Sequence, residues 1–244
     1  MNKKLSLDVV IPVYNEQTAL PESISKLHDF LDNNFNNYIW KIIIADNAST
    51  DNTLKTADQL SKNYPETVKV LHLPQKGRGR AVKKAWCNSK ADIVSYMDVD
   101  LSTSLEHFRD LIESLTKEND IAIGSRLKHG AKVKGRTLKR EIISRCYNFL
   151  IKILFWIKFS DAQCGFKAVT REVVQKLIPH IEDNEWFFDS EMLIVGEKAG
   201  YKIFEVPVLW IDDPGSTVKV MKTASGDIRG LIRLFFTRPW EKFK

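Results

Sequence analysis

Short apolar runs rich in β-branched residues alternate with stretches of helical period along the first half of the chain, and this alternation constrains the fold most strongly. The apolar runs cover residues 7–13, 39–45, 68–73, 93–97 and 121–123. The helical stretches cover residues 20–31, 53–60, 81–86 and 105–115. Strand, helix and strand in this order predict an α/β fold, with a mostly parallel, Rossmann-like central sheet and helices on both faces.

The bulk properties narrow the class of protein. A chain of 244 residues with 43% hydrophobic content suits one domain with a sizeable core. Its net charge of +6 indicates an anionic partner, such as nucleic acid, a nucleotide or an acidic lipid. The three cysteines lie far apart without C-x-x-C spacing, which favours a reducing compartment, and the N-terminus lacks the pattern of a secretory signal.

Several apolar runs end in polar residues, and ligands of open α/β sheets gather at the carboxyl ends of the strands. Polar residues are common in any loop, so a single polar strand end would carry little weight. Four such ends together predict a binding site. They are Tyr14-Asn15-Glu16, residues 46–51, residues 76–80 and Asp98-Val99-Asp100.

Asp98 and Asp100 give the sharpest signal. Alternate residues leaving a strand can direct two carboxylates at one ion while Val99 points away. Mg²⁺ or Mn²⁺ is the predicted ion, because such cations take few protein carboxylates and complete their shell with water and phosphate oxygens. The alternative is a solvated turn.

The run Lys76-Gly77-Arg78-Gly79-Arg80 combines glycines, which permit close backbone approach, with cations that suit phosphate. It is not a dinucleotide-binding fingerprint, because Val82 stands where the third glycine would fall. A solvated basic turn is the alternative here too.

These segments, with residues 11–16 and Gly124-Ser125-Arg126, resemble the family-two inverting glycosyltransferases of GT-A fold. A narrower resemblance, to the polyprenyl-phosphate (dolichyl-phosphate) glucose and mannose synthases, rests on later segments. Those segments are KREIISR at 139–145, DAQCGF at 161–166, FDSE at 188–191 and EVPV at 205–208. The resemblance covers roughly residues 7–220.

The resemblance assigns roles to individual residues. The metal would be held by Asp98 and Asp100, with Ser102 nearby. The acceptor phosphate would be received by Arg126, Arg140 and Ser144. The residues that match donor-nucleotide positions are Pro12, Tyr14, Glu16, Asp46, Lys76, Arg78 and, in a closing loop, Lys219.

Four further residues bear on these assignments. Asp161 and Asp189 are candidates for orienting the acceptor or the sugar, and a structural carboxylate is the alternative for each. The chain departs from the family at Asp213, where many synthases have arginine, and at Arg80, where the family often has glycine.

The resemblance implies an enzyme that moves glucose or mannose from a UDP-glucose or GDP-mannose type of donor to dolichyl or undecaprenyl phosphate. An acceptor phosphate oxygen would displace the nucleotide diphosphate with inversion, and the metal and cations would stabilise the leaving charge. A phosphate monoester is largely ionised at neutral pH, so no strong general base is required. We expect a cytoplasmic protein on the inner face of a membrane; a separate multi-span membrane protein is left open as a further partner.

Two segments predict contact with a membrane surface. Apolar residues crowd between cations at residues 142–159, where the stretch from Cys146 to Ile157 contains Lys152 and is too short to cross a bilayer. A basic, amphipathic C-terminal helix or tail is predicted at residues 226–244, after a catalytic domain at residues 1–225. Packing into the core or a dimer interface is the alternative for both segments.

Three other functions are weighed against this one. A nucleic-acid binder would explain the positive charge, but no reader motif is present, and Asp98 and Asp100 would repel phosphate without a metal. No nucleic-acid partner is therefore expected. A glycosyltransferase acting on a soluble or cell-surface glycan, and a catalytically silent protein that binds nucleotide sugar or lipid, stay open.

Overall fold

The computed structural model describes residues 4–212 and 220–243, and its centre is a sheet of seven strands. In spatial order these strands are β3 (Val68–Leu73), β2 (Tyr38–Asn47), β1 (Leu5–Val13), β4 (Ile93–Met97), β7 (Phe166–Thr170), β5 (Ile121–Ser125) and β8 (Ile203–Pro207). A smaller parallel sheet pairs β6 (Lys132–Lys134) with β9 (Leu209–Ile211).

Helices cover both faces of the large sheet, as the alternating pattern predicts. The helices are α1 (Leu20–Asn34), α2 (Thr53–Asn63), α3 (Arg78–Asn88), α4 (Phe108–Leu115), α5 (Leu138–Phe155), α6 (Arg171–Lys176), α7 (Phe188–Lys198) and α8 (Val220–Thr237). Short 3-10 helices lie at Leu105–His107, Ile178–His180 and Pro239–Phe243. Two apolar cores result, one packed against α1, α2 and α4, and the other against α3, α5 and α7.

One strand breaks the parallel order of the large sheet. β7 runs antiparallel to both β4 and β5 and separates them, whereas the other neighbouring strands are parallel. The alternating pattern of the first half does not predict this insertion. It has a functional consequence, because the start of β7 is laid beside the end of β4, where Met97 pairs with Phe166.

Three strand ends turn through a non-glycine residue of positive φ. These residues are Asn15 after β1 (58°), Ala48 at the end of β2 (59°) and Leu101 after β4 (49°). Positive φ is uncommon outside glycine and costs conformational energy, and such residues cluster at functional sites. The three turns lie at the carboxyl edge of the sheet, where a ligand is expected.

α5 and α8 each bury one side and expose another. Ile151 and Phe155 of α5 and Leu231 and Leu234 of α8 join the core. The exposed apolar residues are Leu138, Ile142, Ile143, Phe149, Leu150 and Ile153 on α5, Trp156 at its end, and Ile228, Ile232, Phe235 and Phe236 on α8. None of the described helices is both long and apolar enough to cross a membrane. The predicted boundary between residues 225 and 226 falls within α8.

Candidate active site

The ends of β1 and β2 are tied together by hydrogen bonds. The Asn15 amide donates to Ser49 Oγ at 3.0 Å, and the Glu16 amide donates to Thr53 Oγ1 at 2.7 Å. Pro12 lies on β1, three residues before Asn15, and pairs with Ala45 of β2. The turn after β1 is therefore fixed against the turn after β2.

Asp46 lies at the end of β2 and is fully buried. Its Oδ2 lies 2.6 Å from His72 Nδ1 on β3, which pairs with Asp46 in register. Ser49 N approaches Oδ1 at 3.4 Å. A carboxylate accepts hydrogen bonds only, so the Asp46 oxygens connect His72 on β3 to the turn after β2.

The side chains of Lys76 and Tyr14 are in direct contact. The Lys76 ammonium stands 3.2 Å from the centroid of the Tyr14 ring, a cation–π contact. Behind it, the Gly77 amide donates to Asn47 Oδ1 at 2.6 Å. The predicted donor residues at the ends of β1, β2 and β3 are thus brought together.

The basic run is not a solvated turn throughout, because α3 begins at Arg78, three residues before the predicted helix. The glycine at 79 is required by packing, since a Cβ there would lie 2.5 Å from Phe188 Cβ of α7. This close approach brings Arg78 against the start of α7. Arg80 stays on the outside and donates to the Lys76 carbonyl at 2.6 Å.

Arg78 is the outermost member of a set of side chains that we call the buried charge cluster: Arg78, Tyr96, Lys167 and Asp189. Arg78 Nη1 donates to Asp189 Oδ2 at 2.7 Å, and Lys167 Nζ donates to Asp189 Oδ1 at the same distance. The Tyr96 hydroxyl donates to Asp189 as well. Burial alone would raise the pKa of the Asp189 carboxyl, but Lys167 and Arg78 lower it below its usual value. Asp189 is therefore an ionised structural anion.

Asp98 connects the buried charge cluster to solvent. Arg78 Nη2 donates to Asp98 Oδ1 at 2.5 Å, while the Asp98 side chain stays 43% exposed. Gly165, which precedes β7, permits this position, because a Cβ there would overlap the Asp98 carboxylate. Val99, between Asp98 and Asp100, is buried, whereas Asp100 is exposed. Asp100 Oδ1 accepts from the Ser102 amide at 2.9 Å.

Asp98 and Asp100 open into a small cavity beside Trp210. The residues lining it are Met97, Asp98, Asp100, Leu101, Ser102, Thr103, Gly165 and Trp210. β9 holds Trp210 in place through backbone hydrogen bonds to the loop after Asp100, since Ile211 N donates to Ser102 O at 2.9 Å. In the described part of the chain, no three His, Cys, Asp or Glu side chains form a ready-made metal cluster. Oxygen ligands at this cavity would have to include groups other than the two carboxylates.

Arg126, which matches an acceptor-phosphate position, and Asp161, a candidate for orienting acceptor or sugar, form a buried ion pair. Arg126 Nε and Nη2 donate to the two carboxylate oxygens at 2.8 and 2.9 Å, and the Arg126 amide adds a third bond at 3.1 Å. Burial alone would raise the pKa of Asp161, but Arg126 lowers it to about 2. Asp161 has no exposed surface. It therefore orients Arg126, whose guanidinium also lies 5.5 Å from the centroid of the Trp210 ring.

Arg140 and Ser144 lie one turn apart on α5. Arg140 Nη1 donates to both carboxylate oxygens of Asp212, at 3.0 and 2.9 Å. Ser144 is buried, and its Oγ has no hydrogen-bond partner among the described residues. A buried hydroxyl without a partner is costly and marks a place where a polar ligand atom would be favourable. Lys219, Asp213 and the predicted closing loop lie outside the described residues.

Sequence reasoning missed several residues of this site. Lys167 carried a usable signal, a lone cation inside the apolar run FKAV of β7. Trp210 and Asp212 carried none, because β9 has three residues and its neighbours are distant in sequence.

Comparisons with known proteins identify the family. The family model described as glycosyl transferase family 2 matches residues 8–178. Glycosyltransferase AglD of Haloferax volcanii is 33% identical over 218 residues, covering 88% of this chain and 34% of its own length. Dolichyl-phosphate beta-glucosyltransferase ALG5C of Trichomonas vaginalis is 30% identical over 221 residues, covering 86% of this chain and 65% of its own length. The chain thus spans about a third and about two thirds of these relatives.

The fold agrees as well. The crystal structure of glucosyl-3-phosphoglycerate synthase from Mycobacterium tuberculosis, with Mn²⁺, UDP-glucose and phosphoglyceric acid, matches with a TM-score of 0.68 at 16% identity, over 96% of this chain and 80% of that one. The central sheet, its helices and this likeness make the fold GT-A-like. The family predicted from the motifs is confirmed: the chain belongs to glycosyl transferase family 2.

Proposed function

We propose that this glycosyltransferase moves a hexose, glucose or mannose, from a nucleotide diphosphate sugar to a polyprenyl phosphate of the dolichyl or undecaprenyl type. The proposal is carried by one observation: two carboxylates and an arginine lie around the same cavity. Asp98 and Asp100 stand on one side, and Arg126 lies against Trp210, which lines the same cavity. A relative with 30% identity is named for dolichyl phosphate, and its name agrees with a phosphate acceptor.

Donor binding is assigned to the tied ends of the first three strands. Asp46 and Glu16 would meet the nucleoside beside Pro12 and Tyr14, and Lys76 and Arg78 would face the diphosphate. The Lys76 ammonium lies 3.2 Å from the centroid of the Tyr14 ring, so the donor nucleotide would meet a cation and an aromatic ring at the same place. Lys219 stays a proposal outside the described residues.

Asp98 and Asp100 fit a divalent cation such as Mg²⁺ or Mn²⁺. The donor set is chemically suitable, because hard cations accept carboxylate oxygens and complete their shell with water and phosphate. Asp98 already binds a cation in the form of the Arg78 guanidinium, 2.5 Å away. A bound ion would act as a Lewis acid toward the leaving diphosphate.

Arg126, Arg140 and Ser144 would hold the acceptor phosphate while one of its oxygens attacks the anomeric carbon. A new bond forms from that oxygen to the carbon, the bond to the diphosphate oxygen breaks, and the electron pair leaves with the nucleotide diphosphate. Inversion follows from a displacement in one step. Asp161 keeps Arg126 oriented and needs no proton of its own.

The apolar sides of α5 and α8 fit the surface of a membrane that presents the lipid. Their exposed residues flank a groove of about 300 Å³ lined by Leu150, Leu154, Ile228, Leu231, Ile232, Phe235 and Phe236. Lys152 and Arg229 add positive charge beside them, which favours an anionic surface. Sedimentation with phosphatidylglycerol vesicles should therefore retain the wild type better than a Phe149→Ser/Phe236→Ser variant; equal retention would contradict membrane contact through these helices.

The experiment that tests the function offers UDP and GDP sugars with polyprenyl phosphate and identifies the lipid product by mass spectrometry. We expect a hexosyl-phosphoryl lipid that needs both a divalent cation and Asp98. Transfer to soluble glycans alone would make the lipid acceptor wrong. Binding of nucleotide sugar without transfer to any acceptor would instead indicate a catalytically silent protein.

A further inference from the structure

Arg136 lies beside the cavity of Asp98 and Asp100, and neither the sequence motifs nor the proposed function gives it a role. Its side chain is only 9% exposed, and Nη1 donates to Glu141 Oε2 at 2.8 Å. Its guanidinium lies 5.7 Å from the centroid of the Trp210 ring. Arg126 lies 5.5 Å from the same centroid, so both guanidiniums lie close to one indole ring.

The local backbone fixes Arg136 in this position. Gly135 has a φ of +75° and turns the chain directly after β6, and Thr137 caps the N-terminus of α5 by accepting from the Arg140 amide. β6 pairs with β9, which holds Trp210 and is bonded to the loop after Asp100. Arg136 is therefore held in fixed relation to the cavity.

Arg136 shares the carboxylate that neutralises it. Glu141 accepts from Arg136 with one oxygen and from Arg145 Nε with the other, at 2.6 Å. Burial, and then the neighbouring Arg126, lower the pKa of Arg136 below its usual value. Two guanidiniums at one indole ring, one of them with a shared carboxylate, favour the approach of a further anion.

We propose that Arg136, with Arg126 and Trp210, forms a seat for a phosphate group at the edge of the cavity. The arrangement suits a tetrahedral anion, because Arg136 uses Nη1 for Glu141 and has further N–H groups to donate. The inference rests on the proposed function, in which both substrates carry phosphate. Phosphate is the shared chemistry, and it could come from the lipid acceptor or from the donor diphosphate.

The test measures both Michaelis constants for Arg136→Ala, Arg136→Lys and the control Arg145→Ala. Arg145 bonds to the same Glu141, but its side chain is 62% exposed. We expect Arg136→Ala to raise the Michaelis constant for polyprenyl phosphate by about tenfold, with kcat and the donor constant within about twofold. Arg136→Lys should recover part of the loss, since a point charge cannot reproduce the guanidinium fork. Arg145→Ala should behave as wild type.

Other outcomes separate the possible sources of error. A rise confined to the donor constant would support the seat and assign it to the donor diphosphate. Unchanged constants in Arg136→Ala, or an equal loss in Arg145→Ala, would overturn the seat. Failure of wild type to transfer to polyprenyl phosphate would contradict the proposed function instead. In that case, calorimetry with inorganic pyrophosphate on wild type and a folded Arg136→Gln variant still decides the seat: binding that the variant loses supports it, and equal binding or none overturns it.

Discussion

Two groups of cationic side chains around the cavity use their hydrogen-bond donors differently. In the buried charge cluster, Arg78 bridges Asp189 and Asp98, and Lys167 spends its donors on Asp189, the Tyr96 hydroxyl and the carbonyls of Ala162 and Cys164. We name Arg126, Arg136, Arg140 and Trp210 the arginine cluster. There Arg136 and Arg140 each use one terminal nitrogen for a carboxylate, and the Arg140 side chain is 32% exposed against 11% for Arg78.

The difference indicates that the first group supports the position of Asp98 and that the second group binds substrate. Arg78 and Lys167, balanced by Asp189 and Asp98, hold Asp98 in position, and of these two cations only Arg78 is also assigned to the donor diphosphate. In the arginine cluster, Arg136 and Arg140 keep N–H groups beyond those bonded to carboxylates, which suits a phosphate. Mutations in the first group should therefore affect stability and the position of Asp98, and mutations in the second should affect substrate affinity.

The largest effect is expected from breaking the buried charge cluster at its centre. Lys167→Met should lower the free energy of unfolding by about 3–5 kcal/mol, because it leaves two carbonyls without their donor and Asp189 with one cation fewer. Urea denaturation followed by circular dichroism measures this. Lys176→Met is the matched control, since Lys176 forms an exposed pair with Glu172 and should change stability by less than about 1 kcal/mol. Equal losses in the two variants would contradict a structural role for the cluster.

Asp98, which links the buried charge cluster to the cavity, should matter mainly for the catalysed reaction. Asp98→Asn should reduce kcat/KM by about a hundredfold or more, because a neutral amide is a poor ligand for a hard cation and leaves the leaving diphosphate less stabilised. Steady-state assays across a range of Mn²⁺ concentrations check this, with the exposed Asp110→Asn as control. Full activity of Asp98→Asn, or of wild type in excess chelator, would remove the metal from the account.

Asp227 tests how far negative charge is tolerated next to the buried charge cluster. Asp227 of α8 accepts from Gln163 Nε2 at 3.4 Å, and burial, with Asp183 and Asp189 nearby, raises its pKa from 3.8 to about 7. The folded protein thus holds this proton more tightly than the unfolded chain, so stability falls as pH rises from about 4 through 7. Asp227→Asn should gain on the order of 2 kcal/mol relative to wild type between pH 5 and pH 8. Parallel pH profiles of unfolding for the two proteins would contradict this.

The sequence could predict those residues whose position depends only on the strand that they follow. Asp46, Asp98 and Asp100 follow apolar runs, and the carboxyl ends of parallel strands meet by topology alone. The buried charge cluster instead depends on β7, whose antiparallel insertion sets Lys167 opposite Tyr96. Nothing in the period of the first half indicates that pairing.

The arginine cluster shows the same limit. KREIISR predicted Arg140 and Ser144 through the family resemblance, whereas Arg136 stands just before that motif and gains its place from Trp210, far along the chain. The three-residue strands that bring them together are too short for a periodic signal. Asp212 was missed for the same reason, although it fixes Arg140.

In the proposed function, donor and acceptor are bound by separate groups of residues on the two sides of Asp98 and Asp100. Both Michaelis constants of Arg140→Ala test it most directly. We expect the constant for polyprenyl phosphate to rise about tenfold to a hundredfold, from loss of a charge-assisted contact of about 1.5–3 kcal/mol, while nucleotide-sugar affinity stays near that of wild type. Loss of nucleotide binding with an unchanged acceptor constant would contradict the account and assign α5 to the donor.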